Sequence, residues 1–555
     1  MSQTKVSRRR FIAVAGGTVV GLAAGFTAGY LMAPKPAPTV PTVTTTRPVV
    51  PQILRIGYAT NPVNLSPFKH GSTSAVLFTD IYETLTFHTP DLKTEPLLSN
   101  SWKPVDKLHW AFELKKGIKM ACGKYDFDAY MVQDFFTEMC NPTKPGYGWA
   151  QYRSIVGAKA SDKYNVVIET SRPVSQLPHL TAIYPAGIAC MPHMKEYGED
   201  WGIKAAHATG PFMLKDGDWA KGEYVKLTVN ENYWQDIPKL KELRYVIIPE
   251  DTTRVIAYGR GDIDNLESHS VPPEAVAGLR GDPDTNIHST VGLRQVAMML
   301  RTDRGPTSDV RVRKAIAHLL DREKIVKSVI GELGTVATNF VPAGLFPFLP
   351  MTGIPNYDPA KAKSLLSEAG WKPGAGGILE KDGKPLDLVL VSTYQRDAKD
   401  KELAEAIAGE LNKGGLNVKV RLETMATYTT FVRDPNNPYD MSISGWTHQT
   451  LEWEHSTREI YGKETAKYTK SPYSRSQWEN PEFDRLYEEI IAEFDSAKAE
   501  KLMIESHKII AEELPAIPIY DKRELYAIKK YVKGFQVHPD EWGKFRYSKA
   551  YIEKG

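Results

Sequence analysis

Cysteine is scarce: Cys122, Cys140 and Cys190 are the only three among 555 residues, and no two form a C-x-x-C pair. The odd count leaves at least one thiol free, and the spacing matches no zinc-finger pattern. Neither a structural zinc site nor any other metal is therefore expected. One disulfide is open to an exported chain, with Cys122–Cys140 the pairing that suggests itself. A G-x-x-x-x-G-K-[ST] phosphate loop is missing, so this chain does not itself hydrolyse ATP. A G-x-S-x-G elbow and a linked Cys–His signature are missing too, which gives a reading of no enzyme and no cofactor. Paired carboxylates that meet only in the fold keep a cell-surface hydrolase as the alternative. Internal repeats are absent, which argues against a purely adhesive or structural surface protein.

Acidic residues are absent from residues 1–52, which carry six basic ones: Lys5, Arg8, Arg9, Arg10, Lys35 and Arg47. Beyond that segment 64 basic residues face 67 acidic ones, so the overall charge of +3 becomes about −3 for the body. No basic face strong enough to recruit nucleic acid follows from that balance. Ser7-Arg8-Arg9-Arg10-Phe11-Ile12 has the twin-arginine export pattern and leads into an uncharged apolar run of 23 residues, Phe11 to Ala33. As a helix the run is about 34 Å long, enough to cross a bilayer, and the arginines hold its start in the cytoplasm. Residues 34–52, rich in Pro and Thr, read as an extended tether. No cysteine follows the run, which removes a lipid anchor. Cleavage after Ala33 would set Pro34 beside the cut, so an uncleaved anchor on the outer face of the membrane is expected.

The body reads as mixed α/β. Ile53–Tyr58 is a strand, followed by the loop Asn61–Pro67 and a helical segment ending in Ile81–Leu85. Trp110–Leu114 alternates apolar and polar residues, as a half-buried strand does. A helix over 128–139 is capped by Asp126 or Asp128. Asp309 caps another with Val312, Ile316, Leu319 and Leu320 on one face, ending near Asp321. Asn480-Pro481 opens a third, and Lys498–Glu513 is a fourth, stopped by Pro515. The strands Leu386–Ser392 and Val418–Leu422 flank a helix over Asp400–Lys413, a βαβ pattern.

Four segments together resemble the family 5 (peptide/oligopeptide/nickel type) extracellular solute-binding proteins of ABC importers. They are Asn232-Tyr233-Trp234 with Pro249–Arg254 and Gly261–Asp264; Asp309–Ala315 continuing to Asp321-Arg322-Glu323; Tyr357–Ala362 with Glu368–Trp371; and Tyr439-Asp440-Met441 ending in Gly445-Trp446. Ala208-Thr209-Gly210-Pro211-Phe212 and residues 95–119 agree. The resemblance spans about 53–550. It implies an α/β, two-lobed periplasmic-binding-protein-like fold (class II, cluster C type) with an extra inserted subdomain. By analogy lobe 1 takes 53–88, 205–290 and 525–555, the insert 89–204, and lobe 2 291–524. Two crossings between lobes permit a rigid-body hinge closure, and a ligand favours the closed state only by touching both lobes. The implied partners are a small solute, peptide or oligosaccharide, and ABC permease subunits served by a separate ATPase.

The resemblance also nominates site residues. Trp446 follows a strand where the family often places a cleft aromatic, which can stack on a sugar or cover a peptide side chain. After Gly-Trp, peptide-binding members carry an aspartate for the ligand's α-ammonium group. Here the run is Thr447-His448-Gln449-Thr450-Leu451-Glu452-Trp453, with Gln449 near that place. An amide lacks the charge for that contact, which raises oligosaccharide as the alternative ligand. His448 and Trp453 belong to the same candidate loop. His448, Glu452, Glu454 and His455 are metal-ligand types at the spacing of neither H-E-x-x-H nor H-x-x-E-H, so a polar cleft loop is expected. Asn61 and Asn64, after the first strand, are placed towards the cleft. Arg301 stands where many members have Asn and is expected to aim a guanidinium at a ligand carboxylate or phosphate.

Overall fold

The computed structural model describes residues 50–554 except 70–71, 142, 144–151, 351–352, 395, 398 and 462–474. The expected signal, anchor and most of the tether lie outside the described residues. Among those described, no helix is long and apolar enough to cross a membrane.

A 12-stranded sheet organises the chain. Its main strands are β1 (Ile53–Tyr58), β2 (Phe212–Met213), β3 (Tyr224–Val229), β4 (Glu242–Ile247), β5 (Asn265–Leu266), β6 (Thr285–Leu300), β7 (Asp387–Thr393), β8 (Asn417–Glu423), β9 (Met441–Thr447) and β10 (Ala516–Lys529). Their order is β8-β7-β9-β6-β10-β5-β1-β4-β3-β2. β1 runs parallel to β4 and β5, and β7 parallel to β8 and β9. At the centre β6 and β10 form a long antiparallel ladder. Its register is regular from Thr285↔Lys529 to Val291↔Arg523, breaks, and resumes at Gln295↔Asp521. β5 pairs with the carboxyl half of β10, whereas β9 pairs with β6 only from Arg294 onwards. One ladder thus carries two half-sheets, joined where the register breaks.

Local chemistry explains the elements. β1 and β7 are largely buried, as strands covered by helices on both faces are. The expected βαβ unit forms, with its helix at Asp400–Lys413 between parallel β7 and β8. Asp128 caps Ala129–Met139 by accepting from the Met131 N–H, Asp309 caps Val310–Leu319, and Asn480 caps Pro481–Ala492. The last long helix begins slightly earlier than the sequence suggests, at Ser496, because Asp495 caps it. The first helix, Ala75–Ile81, stops short of Leu85: Tyr82 is extended and fills the core instead.

Ser99–Pro104, His109–Leu114, Ile155–Asp162 and Asn165–Thr170 build a separate four-stranded antiparallel sheet on which the helix Ala129–Met139 packs. Trp110, Phe112 and Leu114 point inward along one of its strands while Ala111 and Glu113 alternate outward. This inserted part has no core of its own. Trp110, Phe112 and Phe135 share one buried cluster with Leu54, Ile56 and Tyr245 of the main sheet. A second cluster surrounds β7, β9 and the ends of β6 and β10, with Met298, Ile316, Leu390, Ile407 and Ile517. The three thiols are free, and Cys122 faces Cys190 rather than Cys140, which corrects the pairing suggested by spacing.

Gly210 shows why the Thr-Gly-Pro turn needs its glycine. Its N–H donates to the Ile81 carbonyl at 3.1 Å, and a Cβ there would stand 2.4 Å from that same oxygen. Gly210→Ala should therefore lower stability by about 1–3 kcal/mol through overpacking. Gly281→Ala, with open space around it, should not. Urea unfolding of both variants checks this, and equal midpoints would contradict it.

Candidate functional site

The ladder sets the site. Because β6 and β10 each run through both half-sheets in opposite directions, the carboxyl ends of β1 and β5 and those of β7 and β9 meet at the register break. In open α/β sheets ligands bind beyond the carboxyl ends of strands. A cavity of ≈ 520 Å³ lies there. Tyr58 and Thr60 enter it from the end of β1, Ser268 and His269 from beyond β5, and Arg396 and Asp397 from beyond β7. Trp446, Thr447 and Gln449 come from the end of β9, Arg294, Lys522 and Arg523 from the ladder itself, and Glu541 and Trp542 from the carboxyl-terminal segment.

The lining is cationic. Among the described residues it holds Arg294, Arg396, Arg433, Arg475, Lys522 and Arg523 together with two acids, Asp397 and Glu541. Arg294 grips Asp397 with two hydrogen bonds, Nε to Oδ1 at 2.5 Å and Nη2 to Oδ2 at 2.8 Å. It also donates to Thr447 Oγ1 and to the Gly445 carbonyl. Burial works to raise the Asp397 carboxyl, yet Arg294 outweighs it and holds the group below the usual carboxylate range. Glu541 is likewise kept ionised against its burial by His269 and Lys522. It accepts from Thr447 Oγ1 at 2.7 Å, and its other oxygen lies 2.8 Å from His269 Nε2 and 3.4 Å from Lys522 Nζ.

Two guanidiniums have no such partner. Burial lowers the Arg396 pKa to about 10, helped by Arg294 and Arg475 and only partly offset by Asp397. Arg475 is buried, lies 5.3 Å over the Tyr428 ring, and its Nε has no hydrogen-bond partner. Among the described residues neither forms an ion pair with a carboxylate. An unpaired buried charge is costly, so this arrangement suits a ligand that brings the missing anions.

Of the residues nominated from sequence, Trp446 and Gln449 line the cavity, and the Gln449 Oε1 is buried without a partner. His448 lies just behind them, buried, its imidazole held neutral chiefly by burial and by nearby His455 and Arg294. Trp453 is fully buried and packs on Phe346 at 5.4 Å. Asn61 is exposed, and Asn64 turns its side chain back to accept from the Ser66 N–H at 2.6 Å. Arg301 is fully buried, bonded twice to Asp303 and stacked 4.9 Å over Tyr439. Neither the two asparagines nor Arg301 line the cavity. The basic residues that do were not anticipated. One signal was available: Asp521-Lys522-Arg523-Glu524 interrupts an otherwise apolar strand, and charge in mid-strand needs a reason.

If the Arg294–Asp397 pair organises the site, removing one partner strands the other. Arg294→Met should cost about 3–5 kcal/mol. Adding Asp397→Leu should return much of that loss, giving a coupling energy in a double-mutant cycle followed by urea unfolding. Additive losses would contradict the pairing.

Comparison with known proteins bears on the same architecture. The model of bacterial extracellular solute-binding proteins, family 5 (middle), matches residues 93–468. The Nickel-binding periplasmic protein of Escherichia coli (strain K12) is 30% identical over 370 residues, covering 65% of this chain and 69% of that protein. The Oligopeptide-binding protein AppA of Bacillus subtilis (strain 168) is 25% identical over 470 residues, covering 83% and 84%. In structure, NikA from Brucella suis in complex with Fe(III)-EDTA superimposes with a TM-score of 0.79 at 23% identity, over 90% of this chain and 100% of that one. The fold is accordingly the two-lobed α/β fold of the periplasmic binding proteins, with its inserted subdomain. With the family model covering most of the described body, the chain belongs to the bacterial extracellular solute-binding proteins, family 5.

Proposed function

We propose that this chain is the extracytoplasmic receptor of an ABC importer and captures an anionic, carboxylate-bearing solute of peptide size. The observation that carries the reading is the cavity lining, rich in basic side chains, in which among the described residues Arg396 and Arg475 form no ion pair with a carboxylate. A guanidinium recognises a carboxylate through paired, charge-assisted hydrogen bonds. Trp446 adds an apolar face for the rest of the solute. A neutral oligosaccharide would leave the guanidiniums unanswered. An acidic peptide, or a metal held in a carboxylate chelate, meets the same chemistry. The binding-protein names of the two relatives, one for nickel and one for oligopeptides, support a non-enzymatic receptor.

The proposed lobes are 53–88, 205–290 and 525–555 for the first, 291–524 for the second, and 89–204 for the insert. These limits fall near the register break at Val291/Gln295 and Arg523/Asp521, which supports a hinge there. Asp397 and Trp446 belong to one proposed lobe, His269 and Glu541 to the other, so a ligand between them favours closure. The Arg8-Arg9-Arg10 run and the apolar stretch 11–33 support export by the twin-arginine route and anchoring outside the membrane.

The test is a thermal-shift and calorimetric series on the full chain. It compares Glu-rich tetrapeptides, their side-chain amides, neutral oligosaccharides and Ni2+ with citrate or histidine. The acidic peptides or the citrate chelate should shift the melt, and ligand at 100 times its Kd adds about 2.7 kcal/mol. Affinity should fall with salt, and Arg396→Ala or Arg475→Ala should weaken it about tenfold or more. A shift by the amides or sugars alone would overturn the reading.

A further inference from the structure

Four side chains from three separate segments converge beside the inserted sheet. One ligand atom from each of Cys122, Cys190, His193 and His207 lies within 4.8 Å of all the others. None of the four lines the cavity described above. Cys122 sits on a tight turn, in which Gly123 adopts φ +72 and donates to the Met120 carbonyl at 2.8 Å. Cys190 immediately precedes the helix Met191–Tyr197, and His193 lies in that helix's first turn. The run Cys190-Met191-Pro192-His193 therefore has the local spacing Cys-x-x-His. His207 arrives from a third segment. Its neighbour Ala208 accepts from the Ala121 N–H at 2.7 Å, which pins that segment to the Cys122 turn.

The polar atoms around this cluster are arranged for a cation. The Nδ1 atoms of His193 and His207 are both buried and lack a hydrogen-bond partner, and His207 as a whole is only 7% exposed. His193 Nε2 lies 3.3 Å from Glu196 Oε2. A proton on Nε2 is thereby directed at the carboxylate, which leaves the Nδ1 lone pair free to bind a metal. Glu196 is itself held by Lys124 Nζ at 2.8 Å and the Tyr125 hydroxyl at 2.6 Å.

We propose that Cys122, Cys190, His193 and His207 form a structural Zn2+ site. Two sulfurs and two imidazole nitrogens are the donor set of tetrahedral structural zinc, with bonds of about 2.3 Å to sulfur and 2.0–2.1 Å to nitrogen. Four protein ligands fill the tetrahedron and leave no open position for substrate or cargo. Binding releases two thiol protons, and the two thiolates neutralise the ion. The site ties the inserted part to the 205–208 segment of the main body, closing a long loop that the shared apolar core alone would have to hold. This departs from the expectation drawn from spacing, because the ligands come from three segments and only Cys190-x-x-His193 is local.

The test uses the full chain, purified under reducing conditions, incubated with equimolar Zn2+ and desalted. Elemental analysis should give one zinc per chain, lost in Cys190→Ser and His207→Ala and retained in Cys140→Ser. Co2+ on the unaltered chain should give the thiolate charge-transfer band and the intense visible bands of tetrahedral coordination, a readout independent of whether any variant folds. Retention of no metal, an octahedral cobalt spectrum, or, in chain isolated without reductant, a Cys122–Cys190 disulfide in a non-reduced peptide digest would each overturn the proposal.

Discussion

The antiparallel pairing of β6 with β10 dictates where everything in the cleft can be. Two strands, of 16 and 14 residues, run the length of both half-sheets. They force the parallel strands on either side to point at each other. Most cleft residues named above sit at or near a strand end that this pairing aims inward, or on the ladder itself; Glu541 and Trp542 come from the carboxyl-terminal segment, and Arg433 and Arg475 from the segments around β9. The register break then supplies what a regular ladder cannot. Gly292 passes so close to the Lys522 carbonyl and the Glu524 carboxylate, each 2.9 Å from where its Cβ would be, that a side chain there has no room. Arg294 and Lys522 thereby turn into the cavity.

Gathering six cations in one cavity is unfavourable by itself. The chain offsets part of it with Asp397 against Arg294 and Glu541 against His269 and Lys522, each reinforced by Thr447 or its neighbours. Among the described residues Arg396 and Arg475 form no ion pair. In the function proposed, a solute that supplies carboxylates completes this network, and so gains more than the same contacts would give in water. The acids that answer these cations, Asp397 and Glu541, come from the two proposed lobes on either side of the register break, so a solute that bridges them favours closure.

The sequence announced local structure well and the site poorly. The caps Asp309 and Asn480 and the alternation of Trp110-Phe112-Leu114 are encoded within a dozen residues or so, and the βαβ unit around Asp400–Lys413 within one contiguous stretch from Asp387 to Glu423; they stand as read, and of the two caps offered for Ala129–Met139 the chain uses Asp128. Trp446 and Gln449 were legible because they follow a motif at a strand end. Arg301 and Trp453 were not, since their partners Asp303, Tyr439 and Phe346 depend on how the chain folds back. The basic lining draws on segments from Arg294 to Arg523 that only the ladder assembles. The Cys/His cluster was hidden for the same reason: Cys122 and His207 meet through the Ala121–Ala208 hydrogen bond, which no spacing rule contains.

Backbone hydrogen exchange along β6 and β10, with and without a saturating Glu-rich peptide, tests the central claim most directly. The expected result is new protection concentrated at 291–295 and 521–524, with the flanking ladder already protected and unchanged. Protection spread evenly over both half-sheets, or none at the register break while the peptide is bound, would contradict the view that the ladder's irregularity is both hinge and binding site.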